Sequence, residues 1–377
     1  MHYFDHNATT PLHPSAEEAW LRASRDHWYN ASSLYREAGY TAQLLEVARE
    51  RLADLLGCEA QRILFTSGAT EANNALFATL PAGASIAHSA VEHPSVSQPA
   101  EHSGAQRQVL PVNSHGLLEL ETVASCCRRQ RPTLLSCMAA NNESGTLQFW
   151  QEIAHLCKQH GVRFHTDASQ WLGKLPAHAL GLCDYITGSA HKFGGPKGVG
   201  FLVLATEEER LSYLRGGPQE NGRRAGTENY PAVEAMITAL EQIPSATATH
   251  TGETSVSPWA AHAAWRDAFE AEMQSYFPGL RSIGQGAVRL WNTSLLVMPE
   301  HSNLKWLTRL SRLGFAISTG SACSSGREGS SVVVQALGAS TEELRRVVRL
   351  SSYWSTTQAD WQALAEAFLQ VGHSLQS

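Results

Sequence analysis

The sequence predicts an α/β fold: a large domain with a mostly parallel sheet flanked by helices, followed by a smaller α+β unit. Three observations carry this. Short apolar runs alternate with amphipathic stretches from residue 14 to about residue 240, the pattern of repeated strand and helix. The chain has 377 residues and is 43% hydrophobic, enough for more than one core. Between Pro244 and Pro258 the composition shifts to Ser, Ala, Thr, Gly and His without apolar periodicity, which reads as a flexible linker or exposed loop over 244–258.

In chain order, Leu44, Leu45, Val47, Ala48, Leu52, Leu55 and Leu56 recur at helical spacing, and Gly57 stands where a C-terminal cap belongs. Ile63–Phe65 is a short apolar strand. Further strands are expected at Thr133–Met138, Val162–His165, Asp184–Thr187 and Val199–Leu204. Past the linker come a helix from about Trp259, a strand near Leu290–Met298, a helix from about Ser302 and another from about Gln358. In such a sheet, ligands sit beyond the carboxyl ends of the strands.

Composition excludes several classes. A net charge of −6 argues against a general nucleic-acid binder. No apolar run approaches the length of a bilayer, and Met1-His2-Tyr3-Phe4-Asp5 has neither a basic start nor an apolar signal core. Cys58, Cys126, Cys127, Cys137, Cys157, Cys183 and Cys323 are odd in number and form no Cys-x-x-Cys pair, which points to reduced cytoplasmic thiols without a zinc site or disulfide framework.

Two segments at expected strand ends carry chemistry. His165-Thr166-Asp167-Ala168-Ser169-Gln170 and Gly188-Ser189-Ala190-His191-Lys192 contain the parts of a pyridoxal phosphate site. Lys192 offers an amine for an aldehyde, Asp167 a carboxylate for a protonated pyridine nitrogen, and Gln170 a hydrogen bond for the phenolic oxygen. Ser189 and His191 are donors suited to a phosphate. The plainer alternative makes Asp167 a helix cap and Lys192 a surface lysine. Thr66-Ser67-Gly68-Ala69-Thr70-Glu71 leads from a strand into a helix, whose free amides favour a phosphate dianion. It lacks the Gly-Lys-Ser/Thr of a P-loop, and a simple strand-to-helix turn explains it equally.

A third segment, from Ser318 to Ser331, is rich in Ser and Gly and holds Cys323, with Arg327 nearby. Exposure beside a cation suits a reactive thiolate, whereas Cys137 and Cys157 sit among apolar neighbours. Alone, Cys323 could equally be an incidental loop thiol.

Together the motifs resemble the cysteine desulfurases, in the class V aminotransferase branch of the fold-type I pyridoxal phosphate enzymes. The resemblance runs from Tyr3 to about Phe368 and rests on Asp5-His6-Asn7-Ala8-Thr9-Thr10-Pro11, the Thr66–Glu71 run, Glu92-His93, Asn141-Asn142-Glu143, the Asp167/Gln170 pair, Ser189–Lys192, Arg223–Asn229 and Ser321-Ala322-Cys323. It implies a large cofactor domain over 14–248 and a small domain over 1–13 and 258–377 that carries the cysteine loop, about 318–331. It implies a homodimer using pyridoxal 5'-phosphate. Lys192 would hold the cofactor as an imine, with Asp167 at the ring nitrogen and Gln170 at the phenolic oxygen. His93 would stack on the ring face and shuttle a proton, unless it is simply the cap of a helix starting at Pro94. Ala69, Thr70, Ser189 and His191 would bind the phosphate, with Thr227 reaching it from the partner subunit. Asn142 and Arg349 would orient the substrate carboxylate, although Arg349 could instead be a solvated strand-edge charge. L-cysteine would become L-alanine, its sulfur passing to Cys323 as a persulfide and on to an acceptor or scaffold protein for iron–sulfur cluster or other thio-cofactor assembly. Cys323 lies thirteen residues before Ala336, and this longer loop is similar to that of the iron–sulfur-cluster group.

The chain departs from the family pattern in places. Asn30-Ala31-Ser32-Ser33-Leu34-Tyr35 lacks the usual proline and histidine, Gly216-Gly217-Pro218-Gln219-Glu220-Asn221 replaces a triple-glycine run, and Leu350-Ser351-Ser352-Tyr353-Trp354 replaces Phe-Ser-Leu-Gly-Arg. The rival readings are a selenocysteine lyase, an aminotransferase of small amino acids, and a cofactor-binding scaffold that only docks sulfur-transfer partners.

Overall fold

The computed structural model describes residues 1–206, 211, 213–244, 258–320 and 331–376. Most of the expected linker and the stretch 321–330 with Cys323 therefore lie outside the described residues.

After a short strand His2–Tyr3 (β1), seven strands build the main sheet: Ile63–Thr66 (β2), Ser85–Ser89 (β3), Gln106–Leu110 (β4), Leu134–Ser136 (β5), Arg163–Asp167 (β6), Tyr185–Ser189 (β7) and Gly200–Val203 (β8). Their order is β2-β8-β7-β6-β5-β3-β4, with only β8 antiparallel to its neighbours. Parallel neighbours need crossovers, which the helices Pro94–His102, Leu120–Arg129 and Trp150–His160 supply. The expected α/β sheet, mostly parallel and flanked by helices, is present.

Alternation along the strands explains why both faces are covered. In β2, Ile63 and Phe65 join a core with Leu45, Leu52 and Leu56 of helix Arg36–Leu56, whereas Leu64 joins the opposite core with Ala72, Leu76 and Phe77 of helix Ala69–Ala78. Helix Arg36–Leu56 ends where Gly57 adopts a left-handed φ of 69°. A Cβ there would also meet the His178 carbonyl oxygen at 2.2 Å, so glycine is required twice over.

Strands β3 and β4 went unforeseen. The edge strand β4 is mostly solvent-facing, and β3 reads Ser-Ile-Ala-His-Ser, so neither shows an apolar run.

The rest of the chain forms a second layer. Arg281–Ser282 (β9) and Thr293–Val297 (β10) pair antiparallel, Phe315–Ala316 (β11) pairs with β1, and Val347–Ser351 (β12) pairs with β10. Helices Ala260–Tyr276, Asn303–Arg312 and Gln358–Gln376 cover this sheet through Phe269, Met273, Trp306, Trp361 and Phe368. Phe4 belongs to the same cluster, and Asp5 bridges to Ser351, which brings residues 2–5 alongside β11 and β12. Among the described residues, no helix is long and apolar enough to cross a membrane.

Candidate active site

A cavity of about 750 Å³ opens at the carboxyl ends of β6 and β7. Its lining includes Ala69, Thr70, His93, Asn142, Asp167, Gln170, Ser189, His191, Lys192 and Arg349. Ordinary strand register does most of this work: Asp167 ends β6, Ser189 ends β7, and Lys192 closes the single 3-10 turn that follows.

Asp167 is buried, and its two oxygens accept from neutral donors, Asn73 Nδ2 at 3.1 Å and the Ser169 amide at 2.9 Å. A buried carboxylate held only by neutral donors suits a cationic ring nitrogen. Asn73 is itself fixed by Thr187 Oγ1 on β7, at 2.8 Å. Gln170 donates from Nε2 to the Asn7 carbonyl at 2.9 Å, and its Oε1 accepts from Lys174 Nζ at 2.9 Å. Lys192 Nζ donates to the carbonyls of Asn7 and Ala8, each at 2.8 Å. The reading of Lys192 as a surface lysine fails, because its ammonium is turned inward.

His93 caps helix Pro94–His102: its Nδ1 accepts from the Ser95 amide at 3.1 Å and lies 2.8 Å from Ser95 Oγ. It also lines the cavity, so cap and site residue are one group. An accepting Nδ1 leaves the proton on Nε2 in the neutral ring. Burial holds this imidazole below its ordinary value, with Asp167 opposing and Lys192 adding. His191 is pushed down to about 4 by burial and by Lys192, Lys197 and Lys174.

Another side of the cavity is built from the N-terminus of helix Ala69–Ala78. Its N-cap, Gly68, supplies no side-chain acceptor, which leaves the first amides open to a ligand. Gly68 has φ 149° and a Cβ there would sit 3.2 Å from Ser189 Oγ, so glycine lets this turn close on β7.

On the opposite wall, Arg349 is buried on β12. Its Nη2 donates to Asp5 Oδ1 at 2.6 Å, and its Nη1 to the carbonyls of Asn142 and Gly320 at 3.0 and 2.9 Å. This excludes the solvated-charge alternative. Among the described residues, Arg349 Nε and Asn142 Oδ1 are buried without a hydrogen-bond partner. Thr227 is exposed and is not part of this chain's cavity, and Cys323 lies outside the described residues. The departures at Tyr353 and Trp354 pack beside the site: Tyr353 is buried on His6 with ring centroids 5.3 Å apart, and Trp354 meets His13 at 5.1 Å.

Asn7, Asn73 and Lys174 had no role assigned from sequence. Asn73 sits a helical turn beyond Ala69, and Lys174 four residues beyond Gln170, so helical spacing was the available signal.

The aminotransferase class-V family model matches residues 2–364. The chain belongs to the aminotransferase class-V family. A cysteine desulfurase of Cereibacter sphaeroides is 35% identical over 389 residues, covering 100% of this chain and 96% of that protein. The cysteine desulfurase IscS of Dictyoglomus turgidum is 33% identical over 95% of this chain and 91% of its own. Among solved structures, a NifS-like protein from Rickettsia africae superimposes with a TM-score of 0.86 at 27% identity, covering 99% of each chain. SspA in complex with cysteine superimposes with a TM-score of 0.78 at 28% identity, over 93% of this chain and 98% of that one.

Class-V enzymes of this group depend on pyridoxal 5'-phosphate, and the site fits it. An inward amine, a buried carboxylate, an amide donor and an open helix N-terminus surround one cavity of suitable size.

Proposed function

We propose that this protein is a pyridoxal 5'-phosphate-dependent cysteine desulfurase that converts L-cysteine to L-alanine and places the sulfur on Cys323 as a persulfide for an acceptor protein. The observation that carries the reading is the position of the residues flanking 321–330. Gly320 accepts a hydrogen bond from Arg349, and Ser331 Oγ donates to Glu143 at 2.5 Å. Both ends of the Cys323 segment are thus anchored at the cavity that contains Lys192 and Asp167. Cys323 is three residues from Gly320, and three residues of extended chain span at most about 11 Å. A transferase acting on amino groups alone has no use for a thiol there. The relatives named as cysteine desulfurases, and the cysteine complex of SspA, support the same reading.

Bound in the cavity, pyridoxal 5'-phosphate supplies an aldehyde for an imine link and a ring that withdraws electrons. Asp167 would hold a proton at the ring nitrogen, Gln170 would donate to the phenolic oxygen, and the amides of Ala69 and Thr70 would hold the phosphate with Ser189 and His191. His93 covers the ring. Arg349 would take the substrate carboxylate with its guanidinium N–H groups, and Asn142 with its side-chain amide nitrogen. The Lys192 amine, displaced by the substrate amine, takes the α-proton. Cys323 thiolate would then attack the substrate sulfur: a sulfur–sulfur bond forms, the carbon–sulfur pair goes to the β-carbon, which takes a proton, Lys192 returns the proton to the α-carbon, and alanine would leave. A cytoplasmic homodimer completes the proposal, with the exposed Thr227 reaching the phosphate of a second copy. A stable monomer with full cofactor occupancy in light scattering contradicts that part.

Incubation with L-cysteine followed by mass analysis tests the activity. One added sulfur is expected on the Cys323 peptide. Cys323→Ser should keep the yellow cofactor and release almost no alanine. A persulfide on Cys137 or Cys183, or full activity in the serine variant, overturns the mechanism. Product analysis with cysteine, selenocysteine and alanine separates the desulfurase from a selenocysteine lyase or an aminotransferase.

A further inference from the structure

Lys174 is the buried charge that these steps leave without a task. Its side chain is fully buried, and its ammonium donates to Gln170 Oε1 at 2.9 Å and to the Gln170 carbonyl at 3.3 Å. Trp291 Nε1 donates to the Lys174 carbonyl at 3.1 Å and fixes the backbone beneath it. Among the described residues it has no carboxylate partner. The charged groups that act on it are the cations Lys192 and Arg349, which together with burial push it down to about 7. His6 and His191 in turn feel its charge.

An uncompensated ammonium in a protein interior is costly, and a hydrocarbon of the same volume is the cheaper way to fill the space. The position therefore suits an anion that the described residues do not provide. Lysine has only donors, so the oxygen of the Gln170 carboxamide must face it. The amide nitrogen is thereby directed to the cavity side, where one N–H reaches the Asn7 carbonyl at 2.9 Å and the second remains for another acceptor.

We propose that Lys174 is a positioning residue: it fixes the Gln170 carboxamide so that its N–H faces the phenolic oxygen of the cofactor, and its charge, acting through the polarised amide, favours that oxygen as an anion. The inference rests on the role of Gln170 proposed above. Stabilising the oxygen from outside weakens its hold on the proton shared with the Lys192 imine. The imine in the resting holoenzyme is then more easily deprotonated, which leaves it the more open to exchange with a substrate amine.

The test is the pH midpoint of the imine's visible absorbance in the holoenzyme, a quantity that packing alone does not move. Lys174→Met should raise it by at least about one pH unit. Lys174→Gln, which keeps a donor for Gln170 Oε1 but no charge, should raise it by less. In a Gln170→Ala background, which raises the midpoint by itself, Lys174→Met should add nothing further. A lowered melting temperature with an unchanged midpoint, in either Lys174 variant that folds, overturns the inference and makes Lys174 structural. A midpoint that moves in Gln170→Ala but not in the Lys174 variants does the same while leaving the Gln170 assignment intact. No movement in Gln170→Ala removes the assignment on which the inference rests. Independently of any variant, a crystal structure of the holoenzyme should place Lys174 Nζ on Gln170 Oε1 and Gln170 Nε2 on the phenolic oxygen, and a carboxamide turned the other way is decisive against it.

Discussion

The wall of the cavity formed by β6 and β7 and the wall formed by β12 are finished to different degrees. On the first, Asp167 has a donor on each oxygen, Gln170 has a partner at each end of its carboxamide, and Lys192 has two acceptors. On the second, Arg349 keeps a buried Nε and Asn142 a buried Oδ1 with no partner among the described residues. A buried polar atom without a partner costs about 1–3 kcal/mol, so the second wall is completed only when a ligand arrives. The contrast separates a seat for a group that stays from a seat for one that turns over.

The contrast predicts how substitutions divide between turnover and binding. Removing the amine on the finished wall has the largest effect. Lys192→Ala should lower alanine release by on the order of 10⁴-fold and abolish the borohydride-reducible cofactor link, with the fold intact. A reducible link that persists in this variant assigns the amine to another lysine. Next in size is Asp167→Ala, in which the ring nitrogen loses its proton-holding partner. Exchange of the substrate α-hydrogen with deuterated water should fall by on the order of 10²-fold or more, while KM changes little. Near-normal exchange would remove Asp167 from the mechanism.

Arg349→Lys tests the other wall. A lysine cannot reproduce the fork that serves Asp5, Asn142 and Gly320 at once, and it presents no equivalent of the open Nε. KM for cysteine should rise by roughly 10-fold or more, with a smaller change in kcat, because the interaction is made equally in the ground and transition states. If instead kcat falls and KM holds, the two walls do not differ in the manner described.

The finished wall was also the more legible in sequence. Asp167, Gln170, Ser189 and Lys192 follow directly from strand ends and short turns, so local pattern places them. The β12 wall was harder to read, since Arg349 owes its position to Asp5, a residue 344 positions away, and to Gly320. No periodicity reports a pairing at that separation. Strands β3 and β4 were missed for a different reason: polar and small residues, inside the sheet in β3 and at its edge in β4, carry no apolar run. Lys174 reads in sequence as an ordinary lysine before Leu175, and only the packing of Trp291 and Gln170 around it shows that it is buried.

Glu92 also lines the cavity, and its replacement has the smallest expected effect on turnover. The carboxyl is fully buried; one oxygen accepts from the Met138 amide at 2.8 Å, and the Ser89 hydroxyl also acts on it. Burial pushes this carboxyl up to about 8, with Asp167 adding and the Met138 amide opposing. The folded chain therefore keeps the proton where an unfolded glutamate, with an ordinary value of 4.5, has lost it. Between these values the folded state binds more protons than the unfolded state, so this group's contribution to stability falls as pH rises through the window. Lys174, pushed down to about 7, acts with the opposite sign above that pH, so the stability of the wild type alone does not isolate Glu92. The difference between wild type and Glu92→Gln does, because glutamine keeps the acceptor for Met138 and is neutral throughout. The two melting temperatures should be close at pH 5, and wild type should fall behind the variant by a few degrees at pH 8.5, with kcat within a few-fold at pH 7. Parallel curves across that range would mean that Glu92 is ionised in the folded protein, and that the wall beneath the cofactor holds a second carboxylate charge beside Asp167.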